Sequence, residues 1–166
     1  MSLGHTRQLP TEDRYLMTRS QFRDMLATLL AGHSAEVLIF NEVTTGAQDD
    51  IKRVTYLARK MVTDFGMSDS LGPRTFGHKE EMVFLGREIS EQRDYSERVA
   101  KKIDDEVHRI IQEGYDTARK IITENKSKLV QLAERLVDKE TLEGEALEAL
   151  FNESSPTPPP EPTTVP

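Results

Sequence analysis

A chain of 166 residues with 36% hydrophobic and 31% charged residues can bury one modest core, which suits a single domain of amphipathic helices better than layered α/β structure. Its net charge of -7 and pI near 5.2 supply no clustered basic surface for phosphates, which argues against nucleic acid as a partner. With no cysteine there is neither a disulfide framework nor a thiolate metal site, so any metal would be held by His, Asp or Glu.

The longest purely aliphatic or aromatic run covers residues 37–40, far short of the roughly 20 needed to span a bilayer, and no signal peptide is visible. Met1, Ser2 and Leu3 read as an expression scar. Residues 4–17 are polar and interrupted by Pro10, which predicts a loop with a short strand near 6–9. Thr18 and Gln21 then have capping-box spacing, and Phe22, Met25, Leu26, Leu29 and Leu30 follow at helical period. Gly32 and His33 are expected to end or bend that helix, with a new one restarting at Ser34. His33 and Glu36 make only two candidate ligands, so His33 is read as a helix C-terminal residue favoured by the dipole.

The stretch 44–65 reads as one helix, capped by Thr45 with Gln48 three residues on and with Gly46 as its first helical residue. Stepping about 100° per residue, Ile51, Val54, Leu57, Ala58, Met61, Val62 and Phe65 form one band, and Asp50 lies inside it. Asp49 falls on the opposite side, nearer Lys52 and Arg59, and should face solvent. An inward carboxylate requires a hydrogen-bond donor, a cation or a metal. Capping of nearby amides or pairing with an arginine is the commoner of these outcomes.

Residues 66–90 contain five residues, Gly66, Gly72, Pro73, Gly77 and Gly86, that break any long helix, and 81–85 read as a short strand. His78 in this region is expected to be exposed. Asp94 and Glu97 repeat the capping spacing before the longest helix, whose stripe runs through Val99, Ile103, Val107, Ile110, Ile111, Gly114, Ala118, Ile121 and Ile122. Gly114 and Ala118 on that stripe predict a close approach by another helix, while His108 points away. After a turn at Asn125 and Lys126, Leu129, Leu132, Ala133, Leu136 and Val137 form a helix expected to fold back antiparallel on the long one. A last helix over 141–151 should turn Leu142, Ala146, Leu147 and Leu150 inward, and residues 154–166 form a proline-rich tail expected to be disordered.

Several ordered blocks resemble the peptidase domain of the FtsH-type ATP-dependent zinc metalloproteases. They are LPTEDRYLMTR at 9–19, VTTGAQDD at 43–50, ARKMVT at 58–63, GMS at 66–68, LGP at 71–73, FLGR at 84–87, YSE at 95–97, Ile103-Asp104, Glu106-Val107 and TLEG at 141–144. The likeness covers about residues 4–151. It implies a mainly α, bundle-like metalloprotease domain fragment with a short strand or hairpin over residues 4–153. It further implies a homo-hexameric, membrane-anchored parent whose AAA module unfolds membrane and cytoplasmic proteins with ATP and feeds them to a zinc peptidase domain on the cytoplasmic side. In that family two histidines of an H-E-x-x-H helix and one Asp of a T-G-A-x-N/D-D stretch hold zinc, and the motif Glu is the general base. The matching Asp here is Asp50.

The chain departs from the family pattern in two respects. Its four histidines, His5, His33, His78 and His108, include no H-E-x-x-H pair, and no G-x-x-x-x-G-K-S/T phosphate-binding loop occurs. The resemblance therefore implies a C-terminal piece of a peptidase domain, with the general base, the two histidines, the ATP site and the membrane segment outside this chain. Such a fragment is expected to carry no catalytic zinc, to be inactive alone, and to self-associate or be only marginally stable, because its apolar faces have lost their covering helix. The competing expectation is a non-catalytic helical interaction or assembly module.

Overall fold

The computed structural model of the protein describes residues 16–77 and 95–152, and its described elements are five α-helices and one short 3-10 turn. The mainly α class expected from the sequence is the one observed. Both expected strands, together with His5, His78 and the proline-rich tail, lie outside the described residues.

Helix α1 (Arg19–Phe40) starts as its sequence requires. The Thr18 hydroxyl accepts the Gln21 amide at 3.3 Å while Gln21 Oε1 accepts the Thr18 amide at 2.8 Å, so two orphan donors are satisfied reciprocally. The expected break at Gly32 and His33 does not occur, because α1 is continuous to Phe40. An internal glycine costs about 1 kcal/mol of helix propensity. Burial of Leu26, Ala27, Leu30 and Ser34 along one side of α1 offsets that cost. His33 is consequently mid-helix rather than terminal, with its ring edge-on to Tyr115 at 5.8 Å between centroids. The helix stops at Asn41, which adopts a left-handed conformation (φ 52°) and returns its amide to the Val37 carbonyl at 3.1 Å.

The 3-10 turn Thr45–Ala47 leads into α2 (Gln48–Thr63), and the capping residue is Thr44, one position before the threonine chosen from spacing. α2 ends two residues earlier than expected. Phe65 leaves the helix and stacks on Phe22 at 5.4 Å, and Gly66 takes φ 59°. A side chain at Gly66 would meet the Pro73 backbone at 3.0 Å, so that turn needs glycine twice over.

Helix α3 (Glu97–Glu124) has Ser96 at its N-cap position, with no capping hydrogen bond from the Ser96 side chain; Asp94, the cap expected from spacing, lies outside the described residues. Its Ile103, Ile110, Gly114 and Ala118 are buried, and His108 is exposed as expected. At Gly114 an added Cβ would lie 3.2 Å from Leu26 Cβ and 3.4 Å from Leu30 Cδ1, so the glycine lets α1 and α3 approach closely. Val54, Ala58, Met61 and Val62 of α2 complete a three-helix core with these residues.

The later helices stand apart from that core. α4 (Lys126–Lys139) follows α3 after the single residue Asn125 and buries none of its residues. Its helix neighbours are α3 and α5, so the expected packing back along α3 into a shared core is not what forms. α5 (Glu145–Asn152) starts four residues later than expected; Leu150 is buried, Leu142 and Leu147 are half-buried, and Ala146 is exposed. Lys128 of α4 donates to the Phe151 carbonyl at 2.7 Å and ties the two helices together. Ile121, Val130, Leu136, Val137 and Phe151 remain exposed in this half. No helix among the described residues is long and apolar enough to cross a membrane.

Candidate functional site

Asp50 occupies the first turn of α2, next to Asp49, where the helix dipole favours negative charge. It is exposed, contrary to the inward orientation expected from the wheel. The apolar band of α2 is covered only from Val54 onward; one turn earlier Ile51 is already 41% exposed. Periodicity fixes the side of the helix a residue occupies, but burial needs a neighbour on that side, and the described helices do not reach it. Asp50 has no hydrogen bond or ion pair among the described residues, so amide capping and arginine pairing are both unrealised. Asp49 behaves as expected, exposed and 3.3 Å from Lys52 Nζ.

Three apolar side chains at or near the α1–α2 connection are uncovered: Phe40 is 73% exposed, Val43 52% and Ile51 41%. An unpaired acid beside uncovered apolar surface has the composition of a surface built to be covered. As a zinc ligand Asp50 has suitable chemistry, since a free carboxylate oxygen binds zinc directly. It supplies one donor of the three a catalytic site needs. No group of three metal-ligating side chains occurs among the described residues, and neither His33 nor His108 joins Asp50 in one.

The connection that leads to Asp50 is tightly held. Glu36 of α1 accepts the Thr44 amide on Oε2 at 3.1 Å and the Thr44 hydroxyl on Oε1 at 2.8 Å. The same hydroxyl accepts the Gly46 amide at 3.1 Å. The Thr44 backbone and side-chain hydrogen bonds, in that order, hold the Glu36 carboxyl below the ordinary glutamate range.

A second acid, Glu106 of α3, is the buried carboxylate that sequence reading missed. It sits three residues after Ile103 and four before Ile110, on the apolar stripe itself, and that spacing was the available signal. Ser68 donates to it at 2.6 Å, and Arg109 donates through Nε at 3.1 Å and a terminal nitrogen at 3.0 Å. Arg109 also pairs with Glu113, which reaches Arg23 of α1 at 3.4 Å. The Ser68 hydroxyl in turn accepts the Leu71 amide at 3.1 Å, so the network pins the loop after α2 to α3 and α1.

Hydrogen bonds from Arg109, opposed by burial and reinforced by Ser68, bring the Glu106 carboxyl down to about 2 from 4.5. A depressed acid contributes stability that is present above its unfolded value and lost as pH falls toward the folded one. Unfolding free energy should therefore drop between about pH 4.5 and 2. The loss assigned to this group is on the order of 2 kcal/mol, less than the full shift implies because Arg109 is partly solvated. Glu106→Gln should flatten that acid limb in pH-dependent urea titrations. An unchanged limb would mean that other carboxylates set it.

A hollow of about 380 Å³ beside the start of α3, lined by residues including Arg59, Tyr95, Lys101 and Asp104, mixes both charges and contains none of the groups just described.

The chain belongs to peptidase family M41, whose family model matches residues 1–150. It is 56% identical over 155 residues to the ATP-dependent zinc metalloprotease FtsH 1 of Thermomicrobium roseum, covering 93% of this chain and 24% of that protein. Similar matches are FtsH 1 of Sphaerobacter thermophilus, at 52% over 93% of the chain, and FtsH of Chloroflexus aggregans, at 51% over 92%. The chain spans about a quarter of the length of these curated relatives, 24% in each case.

Proposed function

We propose that this chain is the C-terminal part of the peptidase domain of an ATP-dependent zinc metalloendopeptidase and that Asp50 is its contribution to the metal site. The observation that carries the reading is Asp50 itself: exposed, without a partner among the described residues, and next to uncovered Phe40, Val43 and Ile51, in a chain of the M41 family. Two histidines and a general-base glutamate from an H-E-x-x-H helix outside this chain complete the arrangement, and that helix covers the apolar end of the hairpin. When bound, zinc supplies Lewis acidity that eases deprotonation of a water. Asp50 orients one carboxylate oxygen toward the site from a rigid helix, and the three-helix core holds that helix in place. Asp49, already paired with Lys52, takes no part.

The relatives are ATP-dependent zinc metalloproteases, which supports zinc, ATP dependence and proteolysis for the parent protein. Its substrates in this reading are membrane and cytoplasmic proteins, unfolded by an ATPase module of a membrane-anchored hexamer, with the peptidase domain on the cytoplasmic side. The chain alone, with one of three ligands, is inactive. Residues 4–153 form the peptidase piece, and 154–166 a tail outside it.

The reading frame encoding this chain is the first test. An H-E-x-x-H segment and a phosphate-binding loop upstream of residue 4 are expected. A complete gene without H-E-x-x-H would leave a non-catalytic helical assembly module as the better account. A second expectation concerns the isolated chain, whose uncovered Phe40, Val43, Val137 and Phe151 should drive concentration-dependent self-association in sedimentation velocity. A stable monomer across the micromolar range would show that these faces need no cover.

A further inference from the structure

We infer that Glu36 is a positioning residue for the metal site: through Thr44 and Gly46 it fixes the turn from which α2 carries Asp50. The inference rests on the reading of Asp50 as a zinc ligand, and it concerns residues of this chain that make no contact with the metal. Glu36 spends both carboxylate oxygens on one residue, accepting the Thr44 amide at 3.1 Å and the Thr44 hydroxyl at 2.8 Å. The Thr44 hydroxyl, its proton committed to Glu36, is left with its lone pairs aimed at the Gly46 amide 3.1 Å away. That amide opens the 3-10 turn, the turn's Thr45 carbonyl accepts the Gln48 amide, and Asp50 follows two residues into α2.

Space as well as bonding defines the latch. A Cβ at residue 46 would lie 3.2 Å from Thr44 Oγ1 and 3.5 Å from Glu36 Oε1, so the backbone passes the two side chains closely because it carries glycine there. The three residues act on an exposed connection, where three solvent-facing hydrogen bonds would add little to global stability. Their effect is on direction instead. Without the latch the connection from residue 41 to residue 47 loses its tie to α1, and the first turn of α2 is free to fray. A ligand on a fraying turn binds metal more weakly, because the ordering of that turn must then accompany binding. Groups hydrogen-bonded to a metal ligand are typically worth about ten- to a hundredfold in metal affinity, and a latch that acts through the backbone two residues before α2 is expected at the lower end of that range.

The test uses the full-length protein, with zinc affinity read by competition against a chromophoric chelator. Glu36→Ala and Thr44→Val should each weaken zinc binding by about tenfold or more. The double variant should be no weaker than Glu36→Ala alone, because both changes break one chain of bonds. Glu36→Gln keeps one acceptor oxygen but turns an NH2 donor toward the other Thr44 donor, so it should lose less than Glu36→Ala without reaching wild-type affinity. Thermal unfolding of each variant separates loss of fold from loss of aim, and Thr44→Val, nearly isosteric, serves if Glu36→Ala fails to fold. Wild-type zinc affinity in both single variants would overturn the inference, as would single losses that multiply in the double variant. Asp50→Ala run in parallel keeps the two levels distinct: if it retains zinc, the ligand reading itself fails and the positioning role falls with it. If Asp50→Ala loses zinc while Glu36→Ala and Thr44→Val do not, only the positioning role fails.

Discussion

Truncating Leu26 to alanine is expected to destabilise the helical core by about 3 kcal/mol, a large part of the 5–15 kcal/mol that holds a typical domain together. Leu26 is fully buried and lies against Gly114, where α1 and α3 approach closely. Its removal leaves a void that cannot close easily. The helices already meet there with an ordinary glycine backbone on one side, so further approach would drive main chain into main chain. Packing elsewhere along the same seam, from Leu30 to Ala118 and Ile110, also holds the helix separation fixed. The cost should therefore sit inside the usual 2–5 kcal/mol range for a buried leucine, above its lower edge. Equilibrium urea unfolding measures it as a shift in midpoint with an unchanged slope. A loss below about 1 kcal/mol would mean that the seam relaxes and that α1 and α3 are loosely packed.

The same seam explains which parts of the fold were legible. Phe22, Leu26 and Leu30 share one side of α1 at helical spacing, and Gly114 with Ala118 marked the facing groove on α3; both patterns depend only on period and side-chain size. Thr18 with Gln21 was equally readable, since a capping box is local chemistry. Gly32 misled because helix propensity is a small term, and burial of Leu30 and Ser34 on either side of it outweighs it. Thr44 replaced the expected cap Thr45 because neighbouring hydroxyls compete for one role and a distant partner decides: Glu36 orients Thr44, not Thr45. α4 has a convincing apolar pattern, but its described neighbours α3 and α5 cover it only in part and none of its residues is buried; nothing in a pattern states that a partner is present.

The two acids teach the same lesson in opposite directions. Asp50 was placed inside by its angular position and is outside because nothing described covers the first turn of α2. Glu106 was passed over amid the many charges of α3 and is inside, because Ser68 and Arg109 supply the donors that make its burial affordable. The family of the chain, in contrast, was readable from short ordered blocks such as VTTGAQDD and LGP, whose residue identities no helix period encodes.

Replacing Asp50 is expected to have the largest functional effect of any single substitution in the chain. A catalytic zinc site with three protein ligands and an open position cannot lose its only carboxylate and keep its affinity, and the loss should exceed the roughly hundredfold upper range seen for supporting residues. Because the change removes an exposed side chain without a partner among the described residues, folding should be little affected. Proteolysis by the full-length protein should be abolished while its ATP hydrolysis continues, since the latter is assigned to a separate module. Asp49→Ala, one residue away and already salt-bridged to Lys52, should leave both activities near their starting values. The decisive measurement is the zinc content per protomer of purified full-length Asp50→Ala protein, set beside wild type and Asp49→Ala. The account predicts that Asp50→Ala alone loses most of its zinc; wild-type zinc content in that variant would contradict it.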